Sequence, residues 1–321
     1  MKKGLVIGKF MPFHKGHIAL INFALSHCDE VTVSMSFTER DPINPEQRIR
    51  WIKEIFEENP KINIQIVKDD FDREDLPWHE RIEIWSEFVK SRYPHANVIV
   101  SSEEYGPLLA KKLAIDHISF DSKRTQVPIS ATQMMESPFQ YWDYIPDVVR
   151  PYFVKKICLY GPESTGKSFM AKRMAEFYQT EFVPEVAREI VSSNEFTIDD
   201  IIRIGQAQTA RILEKLRKAN KVLFCDSDLI TTQIYSRHYL KEVPSVLYEL
   251  EHQIKYDLYF LFDIDTPWVE DGLRDLGNRR EEMFAIFKNE LERRDITYIL
   301  VKGNWNERER IVRSEVDKFL S

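Results

Sequence analysis

Apolar runs of strand length recur along this chain, and the segments between them carry apolar residues at helical spacing. Leu5-Val6-Ile7 is followed by a helix over about 17–26, then Val31 to Met35, a helix over 45–57, Ile62 to Val67, a helix over about 79–92, and Val98-Ile99-Val100. A second series opens with Lys156 to Tyr160. It continues with a helix from Lys167, Val222 to Cys225, a helix to about Tyr239, Leu258 to Phe262, and Tyr298 to Leu300. Short apolar strands alternating with amphipathic helices predict parallel sheets, so the expected fold class is α/β with two parallel-sheet domains. The pattern breaks at Ser137-Pro138, Ile145-Pro146 and Pro151. There the aromatic-rich stretch 139–152 joins the halves and is expected to pack between them. We place the boundary at residue 153, giving domains over 1–153 and 154–321.

A length of 321 residues exceeds one ordinary core and supports the two-domain reading. The longest apolar runs, such as Tyr256 to Phe262, are strand-length and contain charge, so no membrane span is expected. The basic start Met1-Lys2-Lys3 has too short an apolar stretch behind it for a signal peptide. The net charge of −7 argues against a general affinity for DNA or anionic lipid. Cys28, Cys158 and Cys225 show no CxxC spacing, and two of them fall in strand patterns. They read as small core residues of a protein in a reducing, cytoplasmic compartment.

Two segments carry phosphate chemistry. The first is Gly8-Lys9-Phe10-Met11-Pro12-Phe13-His14-Lys15-Gly16-His17, directly after the first strand. Gly8 lets the backbone approach a phosphate, Phe10 follows it against the nucleotide, and the next helix presents free N–H groups and a positive dipole end. His14 and His17 can donate to phosphate oxygens, with Lys9 as a nearby cation. Arg48 reads either as a phosphate or substrate contact or as part of a solvated helix face. Trp78 or Trp85 would stack on a flat cationic ring if it is not simply core.

The second segment is Gly161-Pro162-Glu163-Ser164-Thr165-Gly166-Lys167-Ser168, a full G-x-x-x-x-G-K-[ST] match between a strand and a helix. Its N–H groups would cradle phosphates, Lys167 would reach the β- and γ-phosphates of ATP, and Ser168 would ligate Mg²⁺. Asp226 and Asp228 end an apolar strand where a magnesium-shell carboxylate belongs. Asp226 is the metal candidate. Asp226, Asp228 and Glu185 remain open as the group that takes the acceptor proton. Glu185 and Arg188 are expected to face the same crevice, unless they form only an i, i+3 ion pair. The arginine-rich stretch 271–280 reads as a closing loop, with Arg274 neutralising the transferred phosphoryl group.

The first motif resembles the HxGH nucleotidyltransferase superfamily, whose second signature is ISxT followed three residues on by arginine. Here that signature is Ile129-Ser130-Ala131-Thr132, and position 135 is Met135. The resemblance implies that Ile129, Ser130 and Thr132 hold the ATP phosphates. Lys9, Lys123 and Arg124 are the cations that would partly compensate for the missing arginine. HxGH, ISxT, the 137–153 junction, the P-loop, Asp226-Ser227-Asp228 and Trp268 to Arg274 occur together in this order. Together they resemble the NadR-type bifunctional nicotinamide mononucleotide adenylyltransferase/ribosylnicotinamide kinases. That resemblance implies phosphorylation of ribosylnicotinamide by ATP in the second domain. The mononucleotide would then be adenylylated to NAD in the first. The alternative, motivated by Met135, is a kinase whose first domain only senses NAD or ATP. Some family members carry a DNA-binding helix-turn-helix ahead of the first strand. With that strand opening here at residue 4, direct DNA binding is not expected. The implied partners are the small-molecule substrates, with a homo-oligomer left open.

Overall fold

The computed structural model describes residues 1–73, 75–193, 195–269 and 274–321, apart from the side chain of Trp78. The chain divides into two compact units, Met1–Arg150 and Pro151–Ser321, against an expected boundary at residue 153. Among the described residues no helix is long and apolar enough to cross a membrane.

The first unit runs β1 (Lys3–Gly8), α1 (Lys15–His27), β2 (Glu30–Phe37), α2 (Pro45–Phe56), β3 (Ile62–Lys68), α3 (Trp78–Arg92), β4 (Val98–Ser101), α4 (Tyr105–Leu113), β5 (Asp116–Ser119) and α5 (Ala131–Glu136). Its sheet has the order β3-β2-β1-β4-β5, parallel throughout. Strand order reverses between β1 and β4. The carboxyl ends of those strands therefore open the crevice in which such sheets take ligands. Leu5, Ile7 and Ile99 pack with Ile82, Trp85 and Val89 of α3 and Leu109 of α4 to close one face of the sheet.

After α6 (Arg150–Phe153), the second unit runs β6 (Lys155–Tyr160), α7 (Lys167–Tyr178), β7 (Phe182–Val183), α8 (Ala187–Ile190), α9 (Ile198–Leu216), β8 (Val222–Asp226), α10 (Leu229–Leu240), α11 (Ser245–Gln253), β9 (Leu258–Phe262), α12 (Arg280–Arg293), β10 (Tyr298–Val301) and α13 (Trp305–Leu320). The sheet order is β10-β9-β6-β8-β7, again parallel. Side chains alternate across β6. Ile157 and Leu159 meet Met170 and Met174 of α7 and Val312 and Val316 of α13. Cys158 and Tyr160 meet Ile230 and Ile234 of α10 and Phe287 and Leu291 of α12. A helical layer on each face explains why the strands read as continuous apolar runs. All three cysteines are free and buried.

Candidate active sites

In the first unit a cleft of about 800 Å³ opens at the carboxyl ends of β1 and β4. His14 is the N-cap of α1, and its Nδ1 accepts the Gly16 N–H at 3.0 Å. The His17 Nδ1 accepts the His14 N–H at 3.3 Å, closing a reciprocal capping box. Both Nδ1 atoms face backbone donors, so each neutral ring carries its proton on Nε2 and is a donor there. Burial lowers His14 to about 4, helped by the positive Arg124. His17 is held well below its ordinary value by desolvation, then by His14 and Arg124. The rings stack with centroids 3.7 Å apart, which two neutral imidazoles tolerate.

Gly16 is required by this stack. A Cβ there would lie 2.7 Å from His14 Cε1 and 2.9 Å from its Nδ1. Phe10 holds a left-handed backbone, φ 49°, with its ring buried edge-on to His17. Such strain persists only where packing over-determines it.

Gly8, Lys9, Phe10, Trp85, Ile129, Ser130 and Thr132 line the cleft with the two histidines. Trp85 is mostly core, edge-on to Phe71, with only its margin reaching the cleft. The Trp78 side chain lies outside the described residues. Ser130 caps α5, and its hydroxyl accepts the Gln133 N–H at 3.2 Å and donates to Gln133 Oε1 at 3.0 Å. That hydroxyl is thus committed to the cap. Among the described residues the N–H groups of Ala131 and Thr132 and the Thr132 hydroxyl, at the start of α5, have no recorded partner.

Arg48 corrects the sequence reading. It is fully buried, lies outside the cleft lining, and is neither a substrate contact nor a solvated residue. Its guanidinium donates to the Lys9 carbonyl at 2.8 Å, the Ser36 carbonyl at 3.3 Å and Asp41 at 2.8 Å. Its role is to brace the strand exit that carries Lys9.

Among the cations proposed to compensate for Met135, Lys9 and Arg124 line the cleft and Lys123 does not. The loop before α5 explains why. The Asp121 carboxylate accepts the N–H groups of Thr125, Gln126 and Val127 at 2.7, 3.0 and 3.1 Å. That wrap turns residue 124 into a left-handed conformation, φ 51°, with its guanidinium 3.0 Å from Glu103 at the cleft edge.

The second unit has its own cleft, about 380 Å³, at the carboxyl ends of β6 and β8. Residues Glu163 to Ser168 of the phosphate loop form one side, with Lys167 donating to the Pro162 carbonyl at 2.8 Å, a bond that a phosphate oxygen would replace. Gly161 has φ 136° and Gly166 φ 89°, turns that bring the loop N–H groups inward. Glu163 and Ser164 line the cleft, and their side chains also hold a distant segment. Glu163 accepts the Leu276 N–H at 3.0 Å and Ser164 the Val269 N–H at 2.8 Å, tying the chain on either side of residues 270–273 to the phosphate loop. The Thr165 hydroxyl stays local, on Pro162 O at 2.9 Å. Arg274 lines the cleft and donates to the Val269 carbonyl at 2.9 Å, while Glu270 to Leu273 of the expected closing loop lie outside the described residues.

The three carboxylates separate by position. Asp226 is buried beside Ser168, whose hydroxyl bonds to it. Burial first, opposed by Lys167 and reinforced by Glu185, raises its pKa above the usual carboxylate range. Its Oδ1 has no partner among the described residues. Asp228, expected as a substrate contact or base, lines the cleft too, with both oxygens already engaged. It is the N-cap of α10, with Oδ1 on Thr231 N at 2.9 Å and Oδ2 on the Tyr259 hydroxyl at 3.0 Å. Burial raises it to about 6. Glu185 lines the cleft, paired with Arg188 at 3.4 Å, so the ion pair and the cleft position coexist. Gln208 of α9 holds this segment through Val186 N at 2.9 Å and Pro184 O at 3.4 Å. The remaining wall is apolar and aromatic, with Phe196, Tyr235 and Tyr239. The sequence reading missed it because α9 and the end of α10 were not singled out as a ligand surface.

Residues 5–137 match the cytidylyltransferase-like family and residues 156–308 match an AAA domain family. Over 93% of its length the chain is 33% identical to the trifunctional NAD biosynthesis/regulator protein NadR of Escherichia coli (strain K12), and it covers 78% of that protein. The chain belongs to the NadR family. A solved NadR protein in complex with NR superimposes with a TM-score of 0.82 at 23% identity, covering 100% of this chain and 96% of the other, which shows a common fold. Over 42% of the chain it is also 25% identical to the nicotinamide-nucleotide adenylyltransferase of Thermococcus kodakarensis, covering 71% of that protein. NadR relatives thus align along both units, whereas the archaeal one aligns with part of the chain only.

Proposed function

We propose that this chain performs two consecutive steps of NAD salvage, one in each unit. The second unit phosphorylates ribosylnicotinamide with ATP, and the first transfers the adenylyl group of ATP to the mononucleotide, giving NAD and pyrophosphate. The observation that carries this reading is the presence of two separate clefts with different phosphate-binding equipment in one NadR-family chain.

In the second cleft the riboside would lie against the aromatic wall, whose π-faces suit a cationic pyridinium ring. Its 5′-hydroxyl attacks the γ-phosphorus, the bond to the β-γ bridging oxygen breaks, and ADP leaves. Glu185, which lines the cleft and is free of any cap, would accept the hydroxyl proton, while Lys167 and Arg274 would stabilise charge on the phosphoryl oxygens. Mg²⁺ fits this site. Ser168 and the unpartnered Asp226 oxygen would hold it, and it would neutralise β- and γ-phosphate charge. In the first cleft the mononucleotide phosphate, already anionic, attacks the α-phosphorus and pyrophosphate leaves, so no protein base is needed. The His14 and His17 Nε2–H groups, Lys9, Arg124 and the opening N–H groups of α5 position and stabilise the phosphates. Arg124 in the cleft favours turnover over the sensing alternative.

The test is a product assay with Mg²⁺-ATP, one reaction receiving ribosylnicotinamide and another the mononucleotide. ADP with mononucleotide in the first and NAD in the second are expected. Phosphorylation without NAD would make the first unit a nucleotide-binding module.

A further inference from the structure

The second cleft accounts for the acceptor and the transferred phosphoryl group but leaves the base of the donor nucleotide without a seat. Two large apolar side chains beside the phosphate loop are exposed, Trp305 by 46% and Phe169 by 55%. Their rings meet edge to face, centroids 5.0 Å apart. The indole leans on the loop itself, since a Cβ on Gly166 would lie 2.9 Å from Trp305 Cζ3 and closer still to its Cη2.

The position of Trp305 is built in. Arg308, one turn on in α13 and fully buried, donates to the Thr165 carbonyl at 2.9 Å, the Gly303 carbonyl at 2.9 Å and the Asp263 carbonyl at 3.1 Å. Its guanidinium also lies 6.0 Å from the Trp305 ring centre. One buried cation thus joins the phosphate loop, the end of β9 and the turn that carries the indole.

We propose that Trp305 and Phe169 form the platform on which the base of the phosphate donor, a purine nucleoside triphosphate, stacks. This rests on the kinase reading of the second unit. The loop N–H groups hold the α- and β-phosphates and Lys167 reaches the β- and γ-phosphates, so the transferred end points into the acceptor cleft. The sugar and base then leave the loop at the Ser168-Phe169 end, where the two exposed rings stand. The Asn304 side chain is committed to capping α13, accepting from Asn306 N at 3.0 Å and Glu307 N at 3.1 Å. The platform therefore reads the π-face of a base more than its edge. Stacking rewards a large purine surface and separates adenine from guanine only weakly.

The test compares wild type, Trp305→Ala and Trp305→Phe by riboside-dependent release of the nucleoside diphosphate, ADP from ATP and GDP from GTP. ATP and GTP serve as donors and inorganic tripolyphosphate as a base-free competitor. Alanine should raise the KM for ATP and for GTP roughly 5- to 100-fold. The riboside KM and the tripolyphosphate inhibition constant should stay unchanged, and phenylalanine should restore most of the loss. An unchanged KM for ATP would overturn the platform. So would an equal loss of tripolyphosphate binding, which would reduce the indole to a buttress of the loop. No ADP from the wild type would sink the kinase reading instead. Calorimetric binding of ATP against tripolyphosphate, with the first cleft silenced by His14→Ala and His17→Ala, then decides the platform on the same comparison.

Discussion

Arg124→Ala is the change that bears most directly on whether the first unit can turn over without an arginine at position 135. The guanidinium lines the cleft with both histidines and Thr132 and has an exposed ion pair with Glu103, the two side chains 43% and 58% accessible. Exposed pairs of this kind contribute about 0–1 kcal/mol to stability, so the variant should melt close to wild type. A charge-assisted contact to the leaving pyrophosphate is worth roughly 1.5–3 kcal/mol, which is about ten- to hundred-fold in rate. The loss cannot come from protonated histidines. Removing the positive neighbour lets His14 and His17 rise somewhat, but burial is the larger cause in both and keeps them neutral at pH 7. The assay is kcat/KM for NAD formation from the mononucleotide, with riboside-dependent ADP release as an internal control that should not change. Met135 follows Thr132 by three positions on α5, so an arginine there shares the Thr132 face. Met135→Arg should therefore restore part of the activity lost in Arg124→Ala. NAD formation by Arg124→Ala within two-fold of wild type would refute this reasoning and remove Arg124 from the transition state.

Lys167→Ala should abolish riboside phosphorylation and leave adenylyl transfer intact, with His17→Ala doing the reverse; loss of both activities in a folded variant of either kind would end the two-site reading. Gly16→Ala should lower NAD formation at least ten-fold, because the new methyl displaces the His14 ring and its cap; a crystal structure showing the ring unmoved would contradict this. Stability of the first unit should fall as pH drops. The native His14 titrates near 4 and the unfolded one near 6.5, so the unfolded chain binds the extra proton first across that window. His14 alone should cost about 2 kcal/mol between pH 7 and pH 5, read as a shift of the urea midpoint that shrinks in His14→Asn.

Much of the site was legible from local pattern. The phosphate loop needs a strand, positive-φ glycines and a helix in immediate succession, all written within 155–178, and the same holds for β1, His14, Gly16 and His17. Covalent neighbourhood sets such geometry, so a contiguous motif is enough to predict it. The side chains that were misread act across long sequence separations. Arg48 resembled a surface helix residue, but the fold turns it under Lys9. Asp228 is held by the Tyr259 hydroxyl of β9, and Glu163 and Ser164 bind a segment about a hundred residues away. Arg308 and Trp305 carried no signal, because their partners Thr165, Asp263 and Gly166 come from other elements.

Sequence alone determined the two parallel α/β halves and the two phosphate-binding motifs, since apolar periodicity and glycine placement are local properties of the chain. Tertiary structure decided which charges reach each cleft. A buried guanidinium or carboxylate takes whatever partners the packed sheet brings within hydrogen-bond range, and that choice sets Arg124 and Glu185 in their clefts while drawing Arg48 into the scaffold.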